Sequence, residues 1–159
     1  MANAQDVQFL QQAAFLSGQE IANGLIASQL SPGFAVRQFG AQEVTDHTSL
    51  NNLLRSIVAL EGLPAPPQLS ALFQTQINSF ESAFGPNSDT QYLNTEVAGH
   101  QQSLLLYQTE ALNGADPLLR SYAQGSVAVL QSHLNQASSL LALNNSSSGS
   151  VAKIGAAWG

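Results

Sequence analysis

The chain has 159 residues, enough for one domain with a real core; 44% are hydrophobic and only 9% charged, against about 25% charged in ordinary soluble domains. The net charge is −6 and the only basic residues, Arg37, Arg55, Arg120 and Lys153, are scattered, which argues against nucleic acid as a partner and against anionic lipid. The absence of Cys excludes disulfide scaffolds, thiolate metal sites and Cys nucleophiles, and no apolar run approaches the ~20 residues of a transmembrane helix.

Ala2-Asn3-Ala4 before Gln5-Asp6 has the small-x-small form of a signal-peptidase site. We therefore expect an exported chain, periplasmic or secreted, whose signal peptide has been replaced by Met1. Val7, Leu10, Ala14, Ile21 and Leu25 recur at helical spacing and predict a first helix from about Gln5 to Leu30. Ser31-Pro32 gives a stop and a restart, with Ser31 expected as N-cap and Pro32 as first helical residue. The second helix then runs to about Glu61, with Val36, Phe39, Leu50, Leu54 and Ile57 on one face, antiparallel to the first because the turn is short.

Gly62-Leu63-Pro64-Ala65-Pro66-Pro67 breaks the pattern. Leu69, Leu72, Phe73, Ile77, Phe80 and Phe84 predict a shorter helix within the connection that follows. A third long helix is expected from about Thr90 to Leu112, through Leu93, Val97, Leu104, Tyr107 and Ala111. In Asn113-Gly114-Ala115-Asp116-Pro117, Gly ends one helix, Asp caps the next and Pro opens it. The fourth helix continues to about Leu143. Residues 144–159 read as a Ser-rich linker and an apolar tail holding the only Trp, Trp158. Such a tail could dock on a neighbouring copy, so a homo-oligomer is an expected partner arrangement.

The fold expected is all-α: a four-helix bundle over residues 1–143, with the additional short helix between helices 2 and 3. That connection is long enough to cross the bundle or to fold over one end as a flap.

His47, His100 and His133 each fall on the apolar stripe of a different helix. An unpaired buried polar group costs roughly 1–3 kcal/mol, so each needs a partner. Glu43 precedes His47, and Glu96 precedes His100, by four residues, which places each pair on one helix face. Glu20 lies about as far before the first turn as Glu43 lies after it, so the two should be level. Glu20, Glu43, His47, Glu96, His100 and His133 are therefore the candidate metal ligands, with Fe, Mn or Zn as the candidate ion; no residue stands out as catalytic. Bundle di-metal sites use Glu on two helices and Glu-x-x-His on the other two. Here the spacing is four rather than three, and the inward residue one turn before His133 is Val129. A full di-iron set is not expected. From the sequence alone, a structural His–Glu network that fixes helix register is favoured over a metal site. Convergence of the imidazoles within about 5 Å of one point would favour metal. There is no nucleophile elbow or phosphate-binding glycine loop.

Phe9-Leu10 with Ala13-Ala14, Gly18-Gln19-Glu20, Asp46-His47 with Leu50-Asn51, and Gly62-Leu63-Pro64 form a recurring set. So do Tyr92 with His100, Asp116 with Leu118-Leu119, and His133-Leu134 with Ala137. On these residues the chain resembles a bacterial family of exported proteins of unknown function, often described as predicted outer-membrane proteins and related to ferritin-like bundles. The resemblance runs from about Asp6 to Leu140 and implies a ferritin-like four-helix architecture and export, with no defined activity. Low charge and the added tail lead us to expect a non-enzymatic bundle acting by binding or self-assembly. The alternative is a ferritin-like metal-binding protein or oxidase.

Overall fold

The computed structural model describes residues 1–65 and 87–156, with side chains described to residue 146. Four helices are present among them: α1 (Ala4–Leu30), α2 (Phe34–Glu61), α3 (Ser88–Asn113) and α4 (Pro117–Ala156). They pack as a four-helix bundle in which α1 lies against α2 and α3, and α4 against α3 and α2. The expected short helix over Leu69–Phe84 lies outside the described residues.

The helix ends follow from local chemistry, with one correction. Asn3 caps α1 in a reciprocal capping box with Asp6. Asp116 accepts from the amides of Leu118 and Leu119 at 3.0 and 3.2 Å, with Pro117 as first residue of α4, as expected. At the first turn, however, Ser31 closes α1 and α2 begins at Phe34 after Gly33, which has no side chain to cap with. The missing cap comes from another helix: Asp89, in the first turn of α3, accepts from the Gly33 amide at 2.9 Å and from the Ser31 hydroxyl. The Ser31 hydroxyl thus serves Asp89 rather than capping α2.

The same device holds the second turn. Asp6, in the first turn of α1, accepts from the amides of Ala115 and Asp116 at 2.8 and 3.2 Å. Arg37 donates to the carbonyls of Ser31 and Pro32, and Arg120 to those of Gly114 and Ala115. Every member of one set lies 83 residues from its counterpart, and the helix starts read alike: Asp6-Val7-Gln8-Phe9-Leu10 and Asp89-Thr90-Gln91-Tyr92-Leu93. The bundle is therefore two related helical hairpins, each beginning against the turn of the other. This makes α1 and α3 antiparallel and puts the end of α2 and the start of α3 at opposite ends of the bundle, as a crossover connection requires.

Two apolar clusters fill the bundle. One holds Phe9, Leu10, Leu54, Tyr107, Tyr122 and Leu130, and the other Ala27, Val36, Phe39, Tyr92, Leu93 and Ala137. The expected stripe on α2 is inward, with Leu50 half-buried. On α1 the inward line is different from the one expected. Leu25 is 48% exposed, and Gly24 takes the inner position. A methyl group on Gly24 would sit 2.7 Å from the Gly40 carbonyl oxygen, and one on Gly40 would sit 2.7 Å from that of Gly24. The backbones of α1 and α2 touch here, which only paired glycines allow. α4 also runs past the expected stop near Leu143, as helix through Asn144–Ser150 to Ala156. That stretch contains poor helix formers but no Pro. Asn144 donates to the Thr90 hydroxyl of α3 at 2.9 Å, and Ser146 to the carbonyl one turn back, so these two side chains find partners in the helical state.

Candidate metal centre

Between the two apolar clusters lies a layer of polar side chains. Glu43, Glu96, His100 and His133 are fully buried, and His47 and Glu20 are nearly so. All six sequence candidates are brought together here, in two overlapping groups. Glu43, His47, His100 and His133 each offer one ligand atom within 4.8 Å of the others, and so do Glu20, Glu43, Glu96 and His100. The three imidazole rings form a near-equilateral triangle, with centroids 5.7, 5.5 and 5.3 Å apart. Glu20 and Glu43 are level, as counting from the turn predicts.

Glu43 is at the middle. Its Oε2 lies 3.1 Å from His47 Nε2, 3.5 Å from His100 Nε2 and 3.2 Å from His133 Nδ1. All four of these atoms are buried, and none has a well-formed hydrogen bond. The opposite nitrogen of each ring, in contrast, has an acceptor. His47 Nδ1 lies 3.2 Å from the Ser17 hydroxyl, which itself donates to the His47 carbonyl. His100 Nδ1 lies 2.9 Å from the Glu96 carbonyl oxygen. His133 Nε2 lies 2.9 Å from Asp46 Oδ2. A neutral imidazole has one hydrogen, and these partners assign it to the outward nitrogen in all three rings. Three inward nitrogens are then grouped around one carboxylate oxygen.

Burial by itself would raise the Glu43 carboxyl, but His100, His133 and His47 beside it hold it far below the usual carboxylate range. Burial pulls His100 and His133 down, and the carboxylates outweigh it: Glu43, Glu20 and the Glu96 carbonyl for His100, Glu43 and Asp46 for His133, so both end above their ordinary value. Glu96 is pushed well up by burial, then by Glu20 against it and by Glu43. Burial also raises the Tyr92 phenol, with Glu96, Glu43 and Glu20 adding to the effect. The layer thus retains protons on His100, His133 and Glu96 that a bound cation would displace.

Two contributors are absent from the sequence reading of the site. Asp46 orients His133 from the neighbouring helix, and Ser17 orients His47. The signal for Asp46 was present: an inward His on a helix without an inward carboxylate must take one from elsewhere, and Asp46 lies three residues from Glu43. Ser17 has no such signal, since any inward Ser can bond its own helix.

A family model covers residues 1–140 of the chain. The protein belongs to the DUF4142 family, a domain of unknown function. No curated protein matches it in sequence. Among solved structures it is similar to the crystal structure of a DUF305 fragment from Deinococcus radiodurans. The TM-score is 0.76 at 15% identity, over 89% of this chain and 97% of that one. At that identity the likeness speaks for the fold, and it agrees with the bundle described above. None of the described helices is long and apolar enough to cross a membrane.

Proposed function

We propose that this protein is a metal-binding helical bundle that holds one first-row divalent transition ion on His47 Nε2, His100 Nε2, His133 Nδ1 and Glu43 Oε2. One observation carries the reading. The outer nitrogen of each ring has a partner in Ser17, the Glu96 carbonyl or Asp46, while the inner nitrogens and the carboxylate oxygen between them have none. Outer-shell acceptors that fix the tautomer are characteristic of metal-ligating histidines. The distances fit as well. Bonds of about 2.0–2.1 Å at tetrahedral angles place ligand atoms about 3.3 Å apart, and the nitrogens lie 3.1–3.5 Å from Glu43 Oε2.

The competing structural network places protonated rings on Glu43 in the metal-free state, and a metal ion would take the same inward atoms by displacing those protons. Imidazole and carboxylate donors without thiolate or thioether suit Zn, Fe or Mn rather than Cu(I). Of the two functions expected from the sequence, the geometry supports metal binding over self-assembly; it gives no argument for catalysis. The test is metal analysis of protein purified without chelators, followed by Zn(II) titration of the stripped protein. One tightly held equivalent, lost in Glu43→Gln and in His133→Ala, is expected. A folded protein that carries no metal and takes up no Zn(II), Fe(II) or Mn(II) would overturn the proposal.

A further inference from the structure

The three-histidine site uses only part of the polar layer. Glu96 is fully buried and neither of its oxygens has a hydrogen-bond partner. Beside it is the Glu20 carboxylate, and burial with the Glu20 charge favours a proton on Glu96 that a divalent ion would displace. Glu43 has a further oxygen, Oε1, that is also buried and unbonded. Glu20, Glu43, Glu96 and His100 all bring a ligand atom within 4.8 Å of one another. If His100 Nε2 serves the first ion, what is left is three carboxylates, a set of hard oxygen donors distinct from the nitrogen-rich set beside it.

One member of this group, Glu20, borders solvent, while Glu43 and Glu96 lie behind it. A groove of ≈ 460 Å³ lies between α1 and α3, and Glu20 is in its wall together with the amides Gln19, Asn23, Asn94 and Gln102. Across from Glu20 stands Gly99, where a methyl group would come within 2.8 Å of Glu20 Oε1. The missing side chain leaves the Glu20 carboxylate its place between the two helices. Neutral amides along the way can replace part of an ion's hydration shell without trapping it.

We propose that Glu20, Glu96 and Glu43 form a second cation site, selective for a hard divalent ion such as Mn(II), entered through the α1–α3 groove and joined to the histidine site by Glu43. Carboxylate oxygens select hard ions and imidazoles borderline ones, so the two sites differ in preference and not only in position. The inference rests on the proposed histidine site for its partition of His100 and Glu43, but it can fail separately.

The experiment is Mn(II) binding, followed by loss of the free Mn(II) electron paramagnetic resonance signal, on protein already loaded with one equivalent of Zn(II). We expect one further equivalent of Mn(II) to bind. Glu96→Gln, which keeps shape and removes charge, should weaken that binding at least tenfold while the Zn(II) equivalent stays. Gly99→Ala should also weaken Mn(II) binding by displacing Glu20, in a variant that favours the helix and so folds. If Zn-loaded protein binds no Mn(II), or if neither substitution alters it, the second site is overturned and the histidine site stands. If instead stripped protein takes up no Zn(II) but binds Mn(II) in a manner sensitive to Glu96→Gln, the carboxylate site stands and the histidine reading falls.

Discussion

In the first hairpin Arg37 holds the carbonyls of Ser31 and Pro32 while Asp89 enters from α3. In the second, 83 residues on, Arg120 holds Gly114 and Ala115 while Asp6 enters from α1. The middles do not repeat. Glu43 corresponds to Ser126, His47 to Leu130, His100 to Ser17 and His133 to Leu50. Each end of the bundle therefore has one aspartate, Asp6 or Asp89, whose two oxygens both accept hydrogen bonds from the turn or cap beside it. Its centre consists of buried carboxylates and imidazoles whose inward atoms are unbonded, present once. Burial of charge serves the fold in one region and, under the proposed function, a ligand in the other. Stability and ion binding should accordingly separate by position.

The largest effect expected is at an end. Asp6→Ala removes the acceptor for the amides of Ala115 and Asp116 and breaks the capping box of α1. A stranded buried donor costs about 1–3 kcal/mol, so a loss of about 2–4 kcal/mol is expected. For a domain of this size that is a fall in Tm of about 5–15 °C. Zn(II) stoichiometry should be unchanged; a variant that loses its metal while folded would dissolve the distinction between ends and centre.

At the centre the effect should appear only with metal. An ion at a free concentration 100 times its Kd stabilises the folded state by about 2.7 kcal/mol, a rise in Tm of about 5–11 °C at this chain length. Thermal scans with and without Zn(II) should show that rise in the native protein and none in Glu43→Gln. An equal rise in both would place the ion elsewhere.

The response to pH sharpens the contrast further. In metal-free protein, His100 and His133 sit above their ordinary value of 6.5. Their contribution is fully present below about pH 6.5 and is lost as pH rises through their higher folded values. Glu96, raised above the ordinary 4.5, also costs stability as pH climbs past the carboxyl range. Glu43, held low, acts oppositely: its contribution is present above 4.5 and disappears only as pH falls towards its folded value. Metal-free protein should therefore lose stability between pH 5.5 and 7.5. Metal-loaded protein should gain it, because an ion displaces protons from its ligands. Urea midpoints at the two pH values check this, and the same trend with and without Zn(II) would contradict it.

The smallest effect is expected at Glu110, beside Asp6. Burial, with Asp6 and Asp116 nearby, raises its carboxyl to about 7. Its ionisation then costs stability between about pH 4.5 and 7. Glu110→Gln should flatten the pH dependence of the metal-free protein in that window and leave Zn(II) binding untouched.

Much of the fold is legible in the chain. The inward positions of His47, His100 and His133 follow from period 3.6 alone, and the Asp116-Pro117 start of α4 from capping chemistry. The errors share a cause. Ser31 reads as an N-cap because nothing local reveals that Asp89 will occupy it. Leu25 reads as core because local spacing cannot show that Gly24 must face α2 for the backbones to meet. The repeat of Asp-x-Gln-aromatic-Leu at 83 residues was present in the sequence, and becomes meaningful once both Asp residues are seen holding the opposite turns. The weakness of the four-residue Glu–His spacing also changes meaning. It argued against a di-iron motif built helix by helix, whereas here one carboxylate, Glu43, serves imidazoles from three helices.

The sequence by itself determined four amphipathic helices, their antiparallel hairpins and a set of six inward ionisable side chains, because periodicity and capping act over a few residues. Only the tertiary structure decided which nitrogens face inward, that Asp46 and Ser17 set them, and that all three meet at Glu43. Apart from His47–Glu43 and His100–Glu96, one turn apart, those contacts join residues 30 to 90 positions apart, and their geometry depends on helix rotation and on the close approach at Gly24 and Gly40, which no local pattern encodes.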